Sequence, residues 1–228
     1  MRILLVELER DIDMMILDQL FLVGTTAVSG LALRYLIITG TNETRRDRSI
    51  YFHSVSFGVL GFAALLLAIF GWQILGLMGK ATTNKLVAIV SSLIPFAWAT
   101  GLISKFFPRV EKPYIGLMVL GLTLITISRF IDAPLMSRIV YPVFHSIAAI
   151  VVISTPIMAL RRGVVNSKFL LVSTGGALIS MGGISLSFLT AGRQLLFFSQ
   201  GFVLMILAPL LFLTGTLYFL GLSQGEEL

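Results

Sequence analysis

The chain has 228 residues, of which 57% are hydrophobic and 12% are charged, and its mean hydropathy is +0.97. Soluble domains carry about 25% charged residues, so this composition indicates that a lipid bilayer surrounds most of the chain. The net charge of +6 comes from short basic clusters between apolar runs, a pattern typical of topology signals and not of nucleic-acid binding. The absence of cysteine excludes disulfides, thiolate metal sites, iron–sulfur clusters and a cysteine nucleophile.

Residues 1–13 mix charged side chains with apolar ones. Acidic residues stand where a signal peptide has its basic region, and no small-residue cleavage site follows, so we do not interpret this stretch as a signal peptide. We predict a short helix lying in the membrane interface, with a disordered tail as the alternative.

Seven apolar segments follow, and each is long enough to cross a hydrocarbon layer of about 30 Å. They lie at about 14–39, 50–75, 85–107, 113–131, 139–160, 168–190 and 196–222. The connections between them are short. We therefore predict an all-α membrane protein in which residues 1–228 form a single domain, a bundle of seven transmembrane helices.

Prolines mark both the ends and the interiors of these segments. Four of them lie where a helix can begin or end, at Pro108, Pro113, Pro134 and, in the first turn of the fifth segment, Pro142. Three others, Pro95, Pro156 and Pro209, lie well inside the third, fifth and seventh segments. We predict kinks at these three, because proline removes a backbone hydrogen bond from the helix.

The sixth segment contains a row of small residues at helical spacing, which we call the small-residue seam. Its members follow one another at steps of 3, 4, 3 and 4 and are Ser173, Gly176, Ser180, Gly183 and Ser187. Gly175 and Gly182 lie near the opposite side of the same helix. Small residues let membrane helices approach closely, so we predict a central helix packed on two sides. A flexible or ligand-lining helix is the alternative.

Basic residues in the connections decide the predicted orientation. Connections one, three and five together hold nine Lys and Arg residues, and the opposite side holds seven. The positive-inside rule then places the N-terminus outside and the C-terminus in the cytoplasm, and we expect the cell membrane as the location.

Ionisable residues within apolar segments are the first candidates for function, because they are costly in a bilayer. Asp18 and Arg34 share the first segment, about 24 Å apart, so we expect them near its two ends with their charges reaching toward the interface. Arg129 and Asp132 are three residues apart at the end of the fourth segment and can form an interfacial ion pair.

The two histidines, His53 and His145, raise the question of a haem held between two helices. They enter the membrane from opposite sides, and counting residues places them about 16 Å apart along the membrane normal. Axial ligands must flank one iron atom, so we predict no shared haem and no other cofactor. We expect each histidine to be either a buried residue whose hydrogen bonds are satisfied or an interfacial one.

The run Arg129-Phe130-Ile131-Asp132 resembles one on the third helix of microbial rhodopsins. Here it ends the fourth segment, and the seventh segment has no lysine to bind retinal, so the resemblance does not imply a retinal protein. Sugar transporters of the SWEET type resemble the chain only in the number of helices. No catalytic motif, paired-histidine metal motif or phosphate-binding loop is present.

We therefore expect a protein that is not an enzyme and that acts through membrane lipids and other membrane protein chains. The leading hypothesis is a structural or accessory subunit of a larger membrane complex. A sensory or signalling module of seven helices and a small-solute transporter are the alternatives.

Overall fold

The structure is a computed structural model that describes the backbone of residues 2–42, 47–71, 85–131, 134–190 and 200–225. Side-chain surroundings are described for residues 16–41, 47–71, 86, 89–131, 136, 139–183 and 205–225. Within these ranges the chain forms seven α-helices. They are α1 Arg2–Asn42, α2 Arg48–Phe70, α3 Lys85–Phe106, α4 Glu111–Phe130, α5 Pro134–Arg161, α6 Leu170–Thr190 and α7 Gln200–Gly225.

Six of the helices are long and apolar enough to cross a membrane. The spanning stretches are Ile16–Thr41, Arg48–Phe70, Ile89–Phe106, Pro108–Phe130, Ile139–Arg161 and Met205–Gly225. The helix α6 runs beyond the residues whose side chains are described and is not among these six. The described residues are thus helical apart from turns and short connections, as predicted for an all-α membrane protein, whereas a total of seven spans stays a prediction.

Local residues set the helix ends, which therefore differ from the ends predicted from the apolar pattern. The helix α2 stops at Phe70, five residues before the predicted end, because Gly71 adopts φ +64° and its N–H donates back to the Leu67 carbonyl at 2.8 Å. The helix α5 begins at Pro134, whose fixed φ suits a first helical position, and not at 139 as predicted. Pro142 therefore lies inside α5 and not in its first turn.

The helix α1 begins at Arg2 and continues as one helix to Asn42. Residues 2–13 are thus helical and continuous with the first span. A position in the membrane interface for this stretch stays a prediction.

Six helices form a ring in the order α1, α2, α3, α5, α6, α7, because each packs against the next and α7 packs against α1. The helix α4 lies outside the ring, against α3 and α5. Connections one, three and five and the end of α7 share one face of the bundle, which we call the loop-one face. On it, the Asn166 side chain donates a 2.7 Å hydrogen bond to the Gln224 carbonyl and so fastens the end of α7 to the α5–α6 connection.

Aromatic residues fill the middle of the ring. Trp98 of α3 is fully buried and stacks on Tyr218 of α7, with ring centroids 4.1 Å apart and planes inclined by 14°. Phe57 of α2 meets Trp98 edge-on at 5.1 Å. Because α3 and α7 stand on opposite sides of the ring, this cluster packs the interior across its full width.

Serine hydroxyls from neighbouring helices support the backbone beside two internal prolines. The Ser56 Oγ of α2 donates to the Ile94 carbonyl at 2.9 Å, next to Pro95, and the Ser173 Oγ of α6 donates to the Ile153 carbonyl at 2.7 Å, three residues before Pro156. The carbonyls that Pro95 and Pro156 leave without a helical donor belong to the residues four positions earlier, so these serine bonds join neighbouring helices and do not replace the lost ones. The positions of these prolines inside helices are as predicted; their kinks stay a prediction.

Candidate functional site

The small-residue seam of α6 faces α5. A methyl group on Gly176 would lie 2.7 Å from Cγ1 of Val152, and one on Gly183 would lie 2.7 Å from Nε2 of His145. Ser180 is buried, and its hydroxyl donates to the Gly176 carbonyl at 2.6 Å. Ser187 lies in α6, but its side chain is outside the described residues.

The opposite side of α6 faces α7. A methyl group on Gly175 would lie 3.0 Å from the Tyr218 ring, and one on Gly182 would lie 2.5 Å from Cδ2 of Leu210. The helix is therefore held between α5 and α7. Among the described contacts, α3 packs against three other helices, α2, α4 and α5.

His145 lies between α5 and α6 as part of a small polar group. Its ring stacks on Tyr141 one turn earlier, with centroids 5.5 Å apart and planes inclined by 20°. The Tyr141 hydroxyl is 3.3 Å from the Ser91 hydroxyl of α3. The Nδ1 atom of His145 is buried and has no hydrogen-bond partner among the described residues.

His53 is packed into the α2–α3 contact. It is only 1% exposed, its ring lies 4.7 Å from that of Trp98, and a methyl group on Gly101 would lie 2.5 Å from its Nε2 atom. That atom is buried without a hydrogen-bond partner in the described part of the chain. The glycine that makes room for His53 was not identified from the sequence.

The two histidines have separate surroundings. Measured from the helix ends on the loop-one face, Arg48 and Arg161, His53 lies about 8 Å deep and His145 about 24 Å deep at 1.5 Å per residue. With both helix ends taken at one level, this residue count gives an offset of about 16 Å. The absence of a shared haem stays a prediction.

A polar pocket opens beside His53 toward the loop-one face, with room for about one water molecule. Its polar lining comes from α1, from the start of α2 and from the end of α3, namely Tyr35, Thr39, Asp47, Ser49, His53 and Lys105. The Asp47 carboxylate caps α2 by accepting the Ser49 N–H at 2.9 Å. Such a pocket accommodates a bridging water more readily than an organic substrate.

A buried carboxylate that the sequence reasoning missed lies near this pocket. Glu111, only 9% exposed, accepts a hydrogen bond from the Ser104 hydroxyl at 3.0 Å and lies 3.7 Å from the exposed Arg48 guanidinium. The predicted segment bounds place Glu111 in the connection between the third and the fourth segment. The short turn between α3 and α4 was the available signal, since it returns the chain directly onto the end of α3.

The other predicted intramembrane polar residues lie in different places. Asp18 of α1 is half-buried, and Arg34 of the same helix is exposed. Arg129 of α4 is half-buried, with its Nε atom buried and without a hydrogen-bond partner among the described residues. Asp132, its predicted partner, lies outside the described residues, so their ion pair stays a prediction.

The described side chains contain no group of three or more His, Cys, Asp or Glu residues placed to hold one metal ion. His53, Asp47 and Ser49 share one pocket, but we find no arrangement there of a nucleophile, a base and an orienting acid. The membrane-facing surface carries two unusual kinds of residue, glycines with open space beside them and an exposed arginine.

Most glycines in the described helices meet a side chain of a neighbouring helix where a Cβ atom would stand. Three do not, and a Cβ atom there would have no such neighbour within 4 Å: Gly30 of α1, Gly58 of α2 and Gly116 of α4. Gly30 and Gly116 are exposed, and Gly58 lies on α2 between the exposed residues Val55 and Phe62.

Six apolar helices make this chain an integral, multi-pass membrane protein. Its described interior is packed by aliphatic, aromatic, small and hydroxyl side chains, and its outward surface is mostly apolar with a few open glycines. Comparisons of the chain with protein-family models, with curated proteins and with solved structures found no match.

Proposed function

We propose that this protein is a non-catalytic, structural or accessory subunit of a larger membrane protein complex. The carrying observation is that Gly30 and Gly58 face outward with open space beside them, whereas the bundle fills the space beside most of its other described helical glycines. In membranes, glycine on a helix surface lets a second helix approach closely.

Gly30 and Gly58 lie at almost the same depth on neighbouring helices. A methyl group on Gly61 would meet Ser29, and one on Gly40 would meet Ile50. The helices α1 and α2 are antiparallel, so residues of the two helices lie side by side when their numbers add up to about 90. This register places Gly30 opposite residue 60 and Gly58 opposite residue 32, an offset of about 3 Å. We call the outward surface around these two glycines the Gly30–Gly58 face.

This face also carries ordinary lipid-facing side chains. The exposed residues of α1 recur every three or four positions, as Leu20, Val23, Ala27, Gly30, Arg34, Ile37 and Thr41. A lipid-facing surface needs no glycine, because acyl chains adapt to bulky side chains. A partner helix benefits from one, because close backbone approach increases van der Waals contact.

The proposal is tested with Gly30→Leu and Gly58→Leu, with Gly116→Leu on the remote helix α4 as the matched control. All three variants place a side chain in open space, so we expect all three to melt like the parent protein in mild detergent. Native mass spectrometry of protein extracted from its own membrane should show a stoichiometric second chain in the parent and the control. The two α1–α2 variants should lose it. A parent protein that is released alone, with lipid only, would contradict the proposal.

A small-solute transporter is the second candidate, supported by polar atoms in the interior. The hydroxyls of Ser29 and Thr214 and the indole nitrogen of Trp98 are buried without hydrogen-bond partners among the described residues. Polar groups of this kind could line a path that opens in another conformation. A solute retained in stoichiometric amount by a purified lone chain would favour this function over the subunit.

A further inference from the structure

The side chain of Arg34 is a charge on the membrane-facing surface of the bundle. It lies inside the spanning stretch Ile16–Thr41, it is exposed, and it has no ion-pair partner among the described residues. It also lies one helical turn after Gly30 on the same side of α1, and therefore on the Gly30–Gly58 face. A charged group in this position is costly unless something pairs with it.

The depth of Arg34 follows from the register of α1 and α2. The contacts of Ser29 with Gly61 and of Gly40 with Ile50 place Arg34 opposite Ser56. Ser56 lies eight residues into α2 from Arg48, which corresponds to about 12 Å below the loop-one face. The sequence-based prediction of Arg34 near one end of its span is thereby given a distance, about 12 Å from the helix end.

The direction of the Arg34 Cα–Cβ bond makes it harder for the side chain to reach the membrane interface at the loop-one face. Side chains of an α-helix tilt toward the helix N-terminus. The helix α1 ends at the loop-one face, so the Cα–Cβ bond of Arg34 points away from that face and toward the middle of the bilayer. To reach the headgroups, the guanidinium must turn back along its own helix.

We infer that the Gly30–Gly58 face binds a membrane helix of another protein that carries an Asp or Glu at the depth of Arg34. A carboxylate accepts two parallel hydrogen bonds from a guanidinium, which satisfies both charges in lipid. The open glycines beside Arg34 let the partner helix come close enough for this pairing. This inference rests on the proposed function and adds the chemistry of the partner.

Two other occupants fit the same face less well. A second copy related by a two-fold axis along the membrane normal would set two Arg34 side chains at one depth, and the like charges would repel. Anionic lipid headgroups match the charge, but Arg34 lies about 12 Å from the helix end at the loop-one face, and its Cα–Cβ bond points away from that face. A carboxylate on a partner helix matches both the charge and the depth.

The test uses a photo-crosslinking amino acid at Leu31 in the full chain, in its native membrane. Leu31 is 54% exposed beside Gly30, and the control position Val119 is 58% exposed on α4. We expect Leu31 to crosslink to a second protein within an apolar segment that contains Asp or Glu. In Arg34→Gln the yield at Leu31 should fall at least about tenfold, since breaking a desolvated ion pair costs several times the thermal energy. In Arg34→Lys much of the yield should remain, and crosslinks from Val119 should not change.

A charge exchange completes the test once the crosslinked peptide identifies the acid. Neutralising that acid in the partner should lower the yield as Arg34→Gln does. Arg34→Glu combined with Lys at the partner position should restore it. Crosslinks only to lipid or to a second copy of this chain, a crosslinked segment without Asp or Glu, or an Arg34→Gln variant with parental yield would each overturn the inference.

Melting, crosslinking and copurification together distinguish misfolding, lost binding and the absence of a partner chain. Arg34 is exposed, so Arg34→Gln should melt like the parent, and a lost crosslink then reports lost binding and not misfolding. If a second chain copurifies and its binding does not depend on Arg34, the proposed subunit function stands, and only the carboxylate on the partner is rejected. If no chain copurifies, the proposed function fails, and this inference fails with it.

Discussion

Single glycines in this protein act as sockets for larger side chains on neighbouring helices. Gly101 of α3 receives the His53 ring, Gly121 of α4 receives the Phe144 ring, and Gly183 of α6 receives the His145 ring. Each socket joins a different pair of helices. The hydrophobic effect does not hold helices together within lipid, so such close contacts supply much of the packing energy.

The Gly101 socket yields a prediction at the residue scale. In Gly101→Ala the new methyl group would lie 2.5 Å from Nε2 of His53, which cannot move freely because it also packs against Trp98. We expect a loss of about 1–3 kcal/mol in the free energy of unfolding, seen as a lower melting temperature in mild detergent.

Two further variants make this prediction specific. Gly58→Ala adds the same methyl group in open space and should melt at or slightly above the parental temperature, since alanine favours a helix. His53→Ala in the Gly101→Ala background should recover part of the lost stability. A Gly101→Ala protein that melts like the parent would show that the His53 ring does not occupy this socket.

At the scale of the element, α6 illustrates how a sequence weak in helix propensity serves as a packed membrane helix. Its glycines and serines would weaken a helix in water. In lipid the backbone must satisfy its own hydrogen bonds, so the helix is kept, and its small residues admit α5 on one side and α7 on the other. The low helix propensity of α6 is thus offset by close packing at two interfaces.

Gly183 tests the interface of α6 with α5. Gly183→Val should destabilise the bundle by about 1–3 kcal/mol, because its methyl groups must displace His145. Gly183→Ala should be milder, because it adds only one methyl group. Leu178→Val, at a half-buried position on the same helix, is the matched control and should cost less than Gly183→Val.

The measurements for this series are melting in mild detergent and helical content by circular dichroism. Helical content should be unchanged, because a membrane helix keeps its internal hydrogen bonds when its packing is weakened. Gly183→Val with parental melting would place this part of the seam against lipid or an open cavity. The alternative of a mobile or ligand-lining helix would then be the better interpretation.

On the scale of the whole molecule, the loop-one face is rich in cations. Seven basic residues described there are Arg48, Lys105, Arg109, Lys112, Arg161, Arg162 and Lys168. Asp47 and Glu111 are the acidic residues described at the same helix ends. A cationic face is typical of the cytoplasmic side of a membrane protein, and the orientation predicted from nine basic residues against seven stays a prediction.

Labelling with a membrane-impermeant thiol reagent tests this orientation, because the parent chain has no cysteine. Single cysteines at Thr44 in connection one and Thr82 in connection two lie outside the described residues, and the test depends only on their order in the chain. In intact cells we expect label at position 82 and none at position 44. Both should react after the membrane is permeabilised, and the reverse pattern in intact cells would invert the topology.

The sequence by itself determined the class of this protein and the approximate course of its helices. Long apolar runs separated by polar connections require a bilayer, and in a bilayer only helices or closed barrels satisfy the backbone. Glycine and proline then set several helix ends, although Gly71 shortened α2 and Pro134 lengthened α5 relative to the apolar pattern. The spacing of small residues also placed the seam on one side of α6.

Only the tertiary structure decided which surface meets which neighbour. In a soluble protein, polar and apolar residues separate the outside from the core, but in lipid both surfaces are apolar. The sequence therefore could not distinguish the filled socket at Gly101 from the open glycine at Gly30, nor place Glu111 beside Ser104. The depth of Arg34 likewise followed from the packing of α1 against α2. The sequence of one helix does not show how far that helix is shifted along its axis relative to its neighbour.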